Sequence, residues 1–342
     1  MKVRSQAFVA SAIALVAGLW ATPSAAQVDL NGGWVALQHE DWIERGPGSD
    51  PVDYTGIALT DAGRAKGLSY TYAQYAMLER QCLYYTPQYV VWGPQGLRIW
   101  SETDPVRGNV VAWKISAAID RDVVTIWMDG RPHPSENAFY PFSGFTTGRW
   151  EGDVLVAKTT HIKAGYLRRN GLGSSDRATV DWRFFRHGNF LTVMVSITDP
   201  LYLAEPDVVT RVWALDPNSQ ASPTPNPCVP VTELPRLEES VEIPHHLPGQ
   251  NPDVDDLTKW YRIPREAVLG YPETLYPEYR KKLKPADYYP QAECRRYCCG
   301  WVALGDIGTS APGLTCTTNA SGKPNFTPLG NPFTPAPPVI EP

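Results

Sequence analysis

Between residues 97 and 216 the chain is a run of short extended segments rich in Val, Ile, Thr, Trp and Phe, separated by turn residues and lacking helical periodicity. With a further segment upstream, the strands read as 88–92, 97–102, 110–117, 123–128, 144–150, 154–161, 178–186, 190–198 and 207–215. Their connections alternate. Tight polar turns (Asp120-Arg121-Asp122, Glu151-Gly152-Asp153, His187-Gly188-Asn189) take turns with longer loops at 103–109, 129–143, 162–177 and 199–206. In an up-and-down meander every long loop opens at one end, which collects Glu102, Arg107, Asp129, Arg131, His133, His161, Arg168, Arg169, Asp176 and Asp199. Period-two alternation over 154–161 places Leu155, Ala157, Thr159 and His161 on one face, with His161 at the rim of the interior.

The flanks differ in character. Lys2 and Arg4, an apolar run from Ala7 to Trp20 and the small residues Ser24-Ala25-Ala26 read as a secretory signal over 1–26, with mature chain from near Gln27. The apolar run is shorter than the roughly 20 residues of a good membrane span, so no span is expected after cleavage. Thr60 is a plausible N-cap for a helix reaching toward Arg80, in which Tyr72, Tyr75, Ala76 and Glu79 keep helical spacing. Past Leu215 the composition turns to Pro, Ser and Asn. Residues 217–342 read as an arm with short helical stretches near 256–269 and 277–283 and a Pro-rich end from Gly330. The barrel domain is thus 27–216.

The formal charge of −5 and pI near 5.7 give no basic face for nucleic acid. Six cysteines (Cys82, Cys228, Cys294, Cys298, Cys299, Cys316) suit an oxidising compartment, periplasmic or secreted. The Cys294-x3-Cys298-Cys299 spacing lacks nearby histidine, and disulfides are expected there rather than zinc. With 12 Trp and 17 Tyr the chain can fill a large core and line a pocket with aromatic rings.

Two histidines lead the chemistry. His133 lies between prolines in Trp127-Met128-Asp129-Gly130-Arg131-Pro132-His133-Pro134, where a restricted backbone holds a ligand or a proton-transfer group in place. The architectural reading is that Asp129 caps its own loop and Arg131 pairs with it. His161 is followed by Lys163, Tyr166, Arg168 and Arg169. With Asp129, Asp176 or Glu102 nearby, the two imidazoles would suit acid/base work or a divalent transition metal. The loop Leu167 to Arg177 adds arginines that clamp a carboxylate, sulfate or phosphate. Ser174 and Ser175 lack a Gly-x-Ser-x-Gly elbow, and Glu151 and Asp153 flank a tight turn, so none is taken as catalytic.

The motifs Asp29-Leu30-Asn31-Gly32-Gly33-Trp34, Asp129 to Pro134, Gly148-Arg149-Trp150-Glu151-Gly152-Asp153-Val154-Leu155-Val156 and Thr198-Asp199-Pro200 together resemble a family of exported bacterial proteins of unassigned function. Thr160-His161 through Arg168-Arg169-Asn170-Gly171, Ser175 to Thr179 and Asp199 to Pro206 resemble one subgroup of it. The resemblance covers about residues 29–216 and implies export and a barrel, not an activity. The chain departs from it at Leu83-Tyr84-Tyr85-Thr86-Pro87 and in the Cys-containing C-terminal region. Gly32-Gly33-Trp34 is also similar to the Gly-x-Trp start of lipocalin-type barrels, in which the Trp plugs one end.

The expectation is an all-β protein: an antiparallel meander closing into a lipocalin-like barrel, with one N-terminal helix and a Pro-rich, Cys-containing arm. It would bind a small amphipathic or aromatic molecule in its mouth, acidic ligands included, with Arg131, Arg168, Arg169, Tyr166 and Glu102 contacting the ligand and no cofactor. The alternative is an enzyme (lyase, isomerase or hydrolase) with His161, His133, Asp129 and Asp176 as catalytic groups, using acid/base chemistry or a divalent transition metal.

Overall fold

The computed structural model describes residues 28–37, 51–71, 77, 81–83, 85–91, 96–117, 123–168, 170–218, 229, 246–261, 263–282, 317–318 and 324–325. The expected signal, the turn at 120–122, Arg169, five of the cysteines and the tail from Gly330 lie outside the described residues.

The strands are β1 (Gly32–Ala36), β2 (Leu97–Thr103), β3 (Val110–Ala117), β4 (Val124–Trp127), β5 (Phe145–Glu151), β6 (Val154–Thr160), β7 (Gly165–Tyr166), β8 (Gly173–Ser174), β9 (Thr179–His187), β10 (Phe190–Thr198) and β11 (Asp207–Leu215). Nine of them close a barrel in the order β1-β11-β10-β9-β6-β5-β4-β3-β2, while β7 and β8 form a small hairpin of their own. The fold is all-β and lipocalin-like, as the strand pattern predicted. One pair breaks the meander: β4 and β5 run parallel, with Ile126 opposite Thr146 and Trp127 opposite Thr147. Residues 128–144 therefore cannot be a hairpin loop. They form a crossover that returns from one end of the barrel to the other.

Alternation decides what is inside. Trp113, Ile115, Ile126, Leu155, Trp182, Phe184, Val193 and Trp213 are all at most 2% exposed. Each such side chain contributes about 1.5–3 kcal/mol when removed from water. Leu155, Ala157 and Thr159 are buried as predicted, while Val154, Val156, Lys158 and Thr160 point outward.

The two ends are covered differently. At the turn end lie the loop 104–109 and the Gly152-Asp153 and Gly188-Asn189 turns. Here Trp34 is fully buried, donates from Nε1 to the Leu30 carbonyl at 3.2 Å, and has the Arg186 guanidinium 5.3 Å from its ring. At the opposite end the described residues 161–168, 170–178 and 199–206 meet 51–71, 251–261 and 263–276 in a cap that continues the core through Tyr54, Leu59, Leu172, Val254, Leu257 and Val268. The expected mouth is thus corrected on two counts. The long loops do not share one end, because the parallel pair puts 104–109 and 161–178 at opposite ends. The loops at 161–178 and 199–206 are packed into the cap rather than lining an entrance.

Polar groups stitch the cap together. Thr60 caps the helix Asp61–Leu68 by accepting from Gly63 N–H, and its hydroxyl donates to the Leu201 carbonyl at 2.6 Å. Gly63 is required there: a Cβ would sit 2.2 Å from the Tyr202 carbonyl oxygen. The helix is shorter than predicted, ending at Leu68 with Ser69 as its C-cap; of the rest of the expected span, 72–76 and 78–80 lie outside the described residues. Arg64, 7% exposed, donates to the Leu59 and Leu269 carbonyls, and Asn251 donates to those of Leu68 and Tyr70. The arm's helices Asp253–Tyr261, Arg265–Val268 and Pro277–Arg280 fall where helical stretches were expected, and the first two pack into the core. The predicted strand 88–92 is instead a 3₁₀ turn, Pro87–Val91. Pro87 presets its first φ, and Tyr85 stacks on Tyr89 at 3.9 Å to hold it.

Asp199 anchors the 199–206 loop. Its carboxylate is 1% exposed and accepts from Ser175 N–H and Oγ, both at 2.7 Å, and from Leu201 and Tyr202 N–H. Asp199→Asn turns one acceptor into a donor facing a donor. It should lower the unfolding free energy by about 1.5–3 kcal/mol, measured by urea denaturation; an unchanged midpoint would contradict this account of the cap.

Candidate functional site

The crossover carries Asp129, Arg131 and His133 out of β4 and lays them on the outer face of the barrel. Asp129 and Arg131 stay local. The Arg131 Nε is 2.8 Å from Asp129 Oδ1, its Nη2 2.5 Å from Oδ2, and its guanidinium carbon 3.7 Å above the Trp127 ring. The Arg131 hydrogen bonds hold the Asp129 carboxyl down to about 2. This is the architectural reading of the motif, and it leaves Asp129 bound to Arg131 rather than to an imidazole.

His133 goes further along the strap and reaches β5 and β6. Its Nδ1 is 2.7 Å from Thr160 Oγ1 and its Nε2 2.9 Å from Thr147 Oγ1, while its ring meets Phe145 edge-on at 5.4 Å. Residue 161 follows directly after β6 with φ 56°, a left-handed turn that is uncommon for a residue with a side chain. This turn takes the His161 ring away from the inner rim predicted by strict alternation and under the crossover. There its Nδ1 is 2.7 Å from the same Thr160 Oγ1, its Nε2 is 2.8 Å from the Ser135 carbonyl, and Tyr140 packs on it at 4.9 Å. Gly144 lets the strap re-enter the sheet this close, since a Cβ there would lie 2.5 Å from Thr159 Cγ2.

The placement of protons along these contacts follows from their ends. The Ser135 carbonyl only accepts, so neutral His161 carries its proton on Nε2 and its bare Nδ1 accepts from the Thr160 hydroxyl. With that proton used, Thr160 Oγ1 accepts from His133 Nδ1–H, and His133 Nε2 accepts from the Thr147 hydroxyl. The result is a directed relay, Thr147 to His133 to Thr160 to His161 to the strap backbone. Burial lowers the His133 pKa below its ordinary value, and the neighbouring His161 and Lys158 push the same way.

The other predicted residues lie elsewhere. Arg168 binds Asp207 through Nη2, at 3.0 and 3.1 Å to the two carboxylate oxygens, on the inner side of the cap. Tyr166 is 2% exposed and packs against Tyr70 and Tyr85 in the cap. Asp176 is exposed at the cap end, near Tyr202, whose pKa is raised by burial and then by Asp199 and Asp176. Glu102 pairs with Lys114 at 2.5 Å on the outer face, toward the turn end. Of the nominated catalytic groups, then, only the two histidines are joined, and among the described residues no three His, Cys, Asp or Glu side chains gather as a metal-holding cluster.

Thr147, Thr160 and the inward tryptophans Trp113, Trp150 and Trp213 were not singled out from sequence. Alternation had marked Thr160 as outward. Nothing local could reveal that His133, within the crossover, and Thr147, on β5 beyond it, share its surroundings.

Thr160→Val, nearly isosteric, removes the atom shared by the two Nδ1 groups. It should destabilise by about 1–3 kcal/mol and raise amide exchange in 133–142, read by hydrogen–deuterium exchange. His133 should titrate in NMR below about 6.5. Because its folded pKa is depressed, its stabilising contribution is whole above the unfolded value and is lost as pH falls from there through the folded one. A His133 midpoint at or above about 6.5 would contradict the buried, neutral assignment.

Compared with protein-family models, with curated proteins and with solved structures, the chain matches none.

Proposed function

We propose that this protein is an exported β-barrel that binds a small aromatic or amphipathic molecule inside the barrel. The observation that carries the reading is the aromatic inner wall. Trp113 and Trp150 meet edge to face at 6.5 Å, Trp182 and Phe184 stack at 6.0 Å, and Trp213 lines the same interior from β11. Covers at both ends shield that wall: Trp34 with Arg186 at one, the cap at the other. Flat rings presented in a water-excluded barrel favour a flat, largely apolar ligand. The rim contacts first expected to orient it are engaged elsewhere, since Arg168 holds Asp207 and Arg131 holds Asp129. Export rests on the N-terminal sequence, with its basic start, apolar run and small-residue cleavage site.

A second reading is acid/base catalysis at His133. Its support is the 2.9 Å hydroxyl–imidazole contact with Thr147, with Thr160 and His161 orienting the ring behind it. In that case His133→Ala abolishes turnover of a bound ligand while its affinity changes little. For a pure binding protein no turnover exists to lose.

Native and denatured mass spectrometry of the protein recovered from the periplasm or medium tests the main reading. The expected result is a chain beginning near Gln27 that carries one organic adduct released on denaturation. A bare chain that is also not stabilised thermally by naphthalene-type compounds would overturn ligand binding. A mass that includes residues 1–26 would overturn processing and export.

A further inference from the structure

The inner-facing tryptophans fall into two groups. Trp182 Nε1–H donates to Thr159 Oγ1 at 2.8 Å, and Thr159 is in turn joined to Thr146 at 2.7 Å. Trp34 Nε1–H has the Leu30 carbonyl. By contrast, the Nε1 atoms of Trp113, Trp150 and Trp213 are sealed from solvent and have no hydrogen-bond partner among the described residues. Two inner indoles are thus satisfied within the barrel, while three donors are left open. Buried donors are rarely left so, because the whole hydration of the group is lost with nothing in return.

Their placement is not scattered. β3 begins at the turn end and β5 and β11 finish there, so all three residues lie toward that end of the interior. Trp113 and Trp150 face each other across β4, rings 6.5 Å apart and nearly perpendicular. Trp213 pairs with Leu191 and Ala36 three strands further round. On β5, two residues before Trp150, Gly148 carries no side chain because its place is taken by neighbours: a Cβ there would lie 2.6 Å from Ile126 Cγ2 and 3.0 Å from Met128 Sδ.

An indole N–H is a donor only, so the partner it lacks must be an acceptor. This fixes the polarity of the missing group. A ligand amine or ammonium would set donor against donor, whereas a carbonyl or carboxylate oxygen completes both indoles without demanding a donor in return. We propose that the ligand is a flat aromatic molecule bearing carbonyl-type oxygen, an aryl carboxylate or aryl ketone, whose oxygen accepts from Trp113 and Trp150. The inference rests on the barrel-binding reading and adds the chemistry of the head group to it. It also moves the polar recognition of the ligand from the arginines of the loops to the interior of the barrel.

The test uses three probes of similar size, 2-naphthoate, 2-acetylnaphthalene and 2-isopropylnaphthalene, titrated calorimetrically into the full chain. The oxygen-bearing probes should bind more tightly, by about three- to tenfold for each N–H engaged. Trp113→Phe and Trp150→Phe keep a flat ring and remove the donor. Each should cost the oxygen-bearing probes about three- to tenfold and leave 2-isopropylnaphthalene unchanged. In ¹⁵N-labelled wild type, the indole Nε1–H resonances of Trp113 and Trp150, assigned from nuclear Overhauser contacts in the wild-type protein itself, should shift downfield with the oxygen-bearing probes only. This second readout does not depend on how well the variants fold.

Preference between 2-naphthoate and 2-acetylnaphthalene separates the acid from the ketone. Equal binding of all three probes, with the indole resonances indifferent to oxygen, would overturn this inference and leave the binding barrel standing. It is equally overturned if Trp213→Phe alone is sensitive, or if the indole resonances are unmoved by a bound probe because internal water already serves them. Failure of every probe to bind would overturn both readings together.

Discussion

A ring of nine strands cannot alternate direction all the way round. Each antiparallel neighbour reverses the direction, so after eight reversals the ninth strand runs the same way as the first, and at least one parallel pair is unavoidable. Here that pair is β4 and β5, and a parallel pair can be joined only by a chain that travels back along the barrel. The Asp129-to-Pro134 motif owes its position to this requirement. Arg131 and Asp129 fasten the strap where it leaves, over Trp127, and the two prolines stiffen it. The hydrogen bonds of His133 and His161 tie down its middle, and Gly144 admits its return beside Thr159. A pair of histidines that looked from sequence like loop ligands is thereby held in a relay on the outside of the sheet.

The same odd strand distributes the polar chemistry. Because the turn end and the cap end exchange roles across β4 and β5, residues expected to face one another are separated by the length of the barrel. Each then settles with a local partner: Glu102 with Lys114, Asp129 with Arg131, Arg168 with Asp207. Pairs on the exposed faces add little, since water screens them; the buried ones matter because one partner left alone would be costly. In the cap the buried polar groups are satisfied chiefly by backbone. Asp199, Arg64, Asn170 and Asn251 each bind peptide groups from distant stretches, which fixes the loop positions and closes one end of the interior. Among the described residues buried polar atoms without a partner occur at both ends, Tyr54 OH and Ser174 Oγ in the cap and the indole N–H groups of Trp113, Trp150 and Trp213 toward the turn end; what sets the indoles apart is that they are donors only and face the barrel interior.

The two readings of function place the ligand differently but draw on one architecture. A binding barrel needs an aromatic, shielded interior; an acid/base enzyme would need its ligand outside, against the Thr147–His133 contact beneath the strap. The interior has the larger aromatic surface and the donors still to be met. The strap relay is fully satisfied as it stands, running from hydroxyl to backbone carbonyl without a gap, which suits a structural tie that also keeps His133 neutral.

Sequence by itself determined the barrel strands from β2 to β6 and β9 to β11, though not the turn at 88–91, together with the in-out alternation of β6, the buried Trp34 at the head of β1, the Thr60 cap and the segment of the arm that turns helical. All depend on side-chain periodicity or turn chemistry within a few residues, where neighbours in sequence are neighbours in space. Tertiary structure alone decided the parallel pair, the fate of the long loops and the company each functional side chain keeps. Strand direction is set by closure of the whole ring and is written in no single segment. Thr147 and Thr160 could be seen only as strand threonines, and His161 was placed at the inner rim because alternation carries no sign of the left-handed turn at that residue. Likewise the sequence contains its tryptophans without saying which indole finds an oxygen. That depends on which strand stands opposite, which Thr159 answers for Trp182 and nothing in the described chain answers for Trp113 and Trp150.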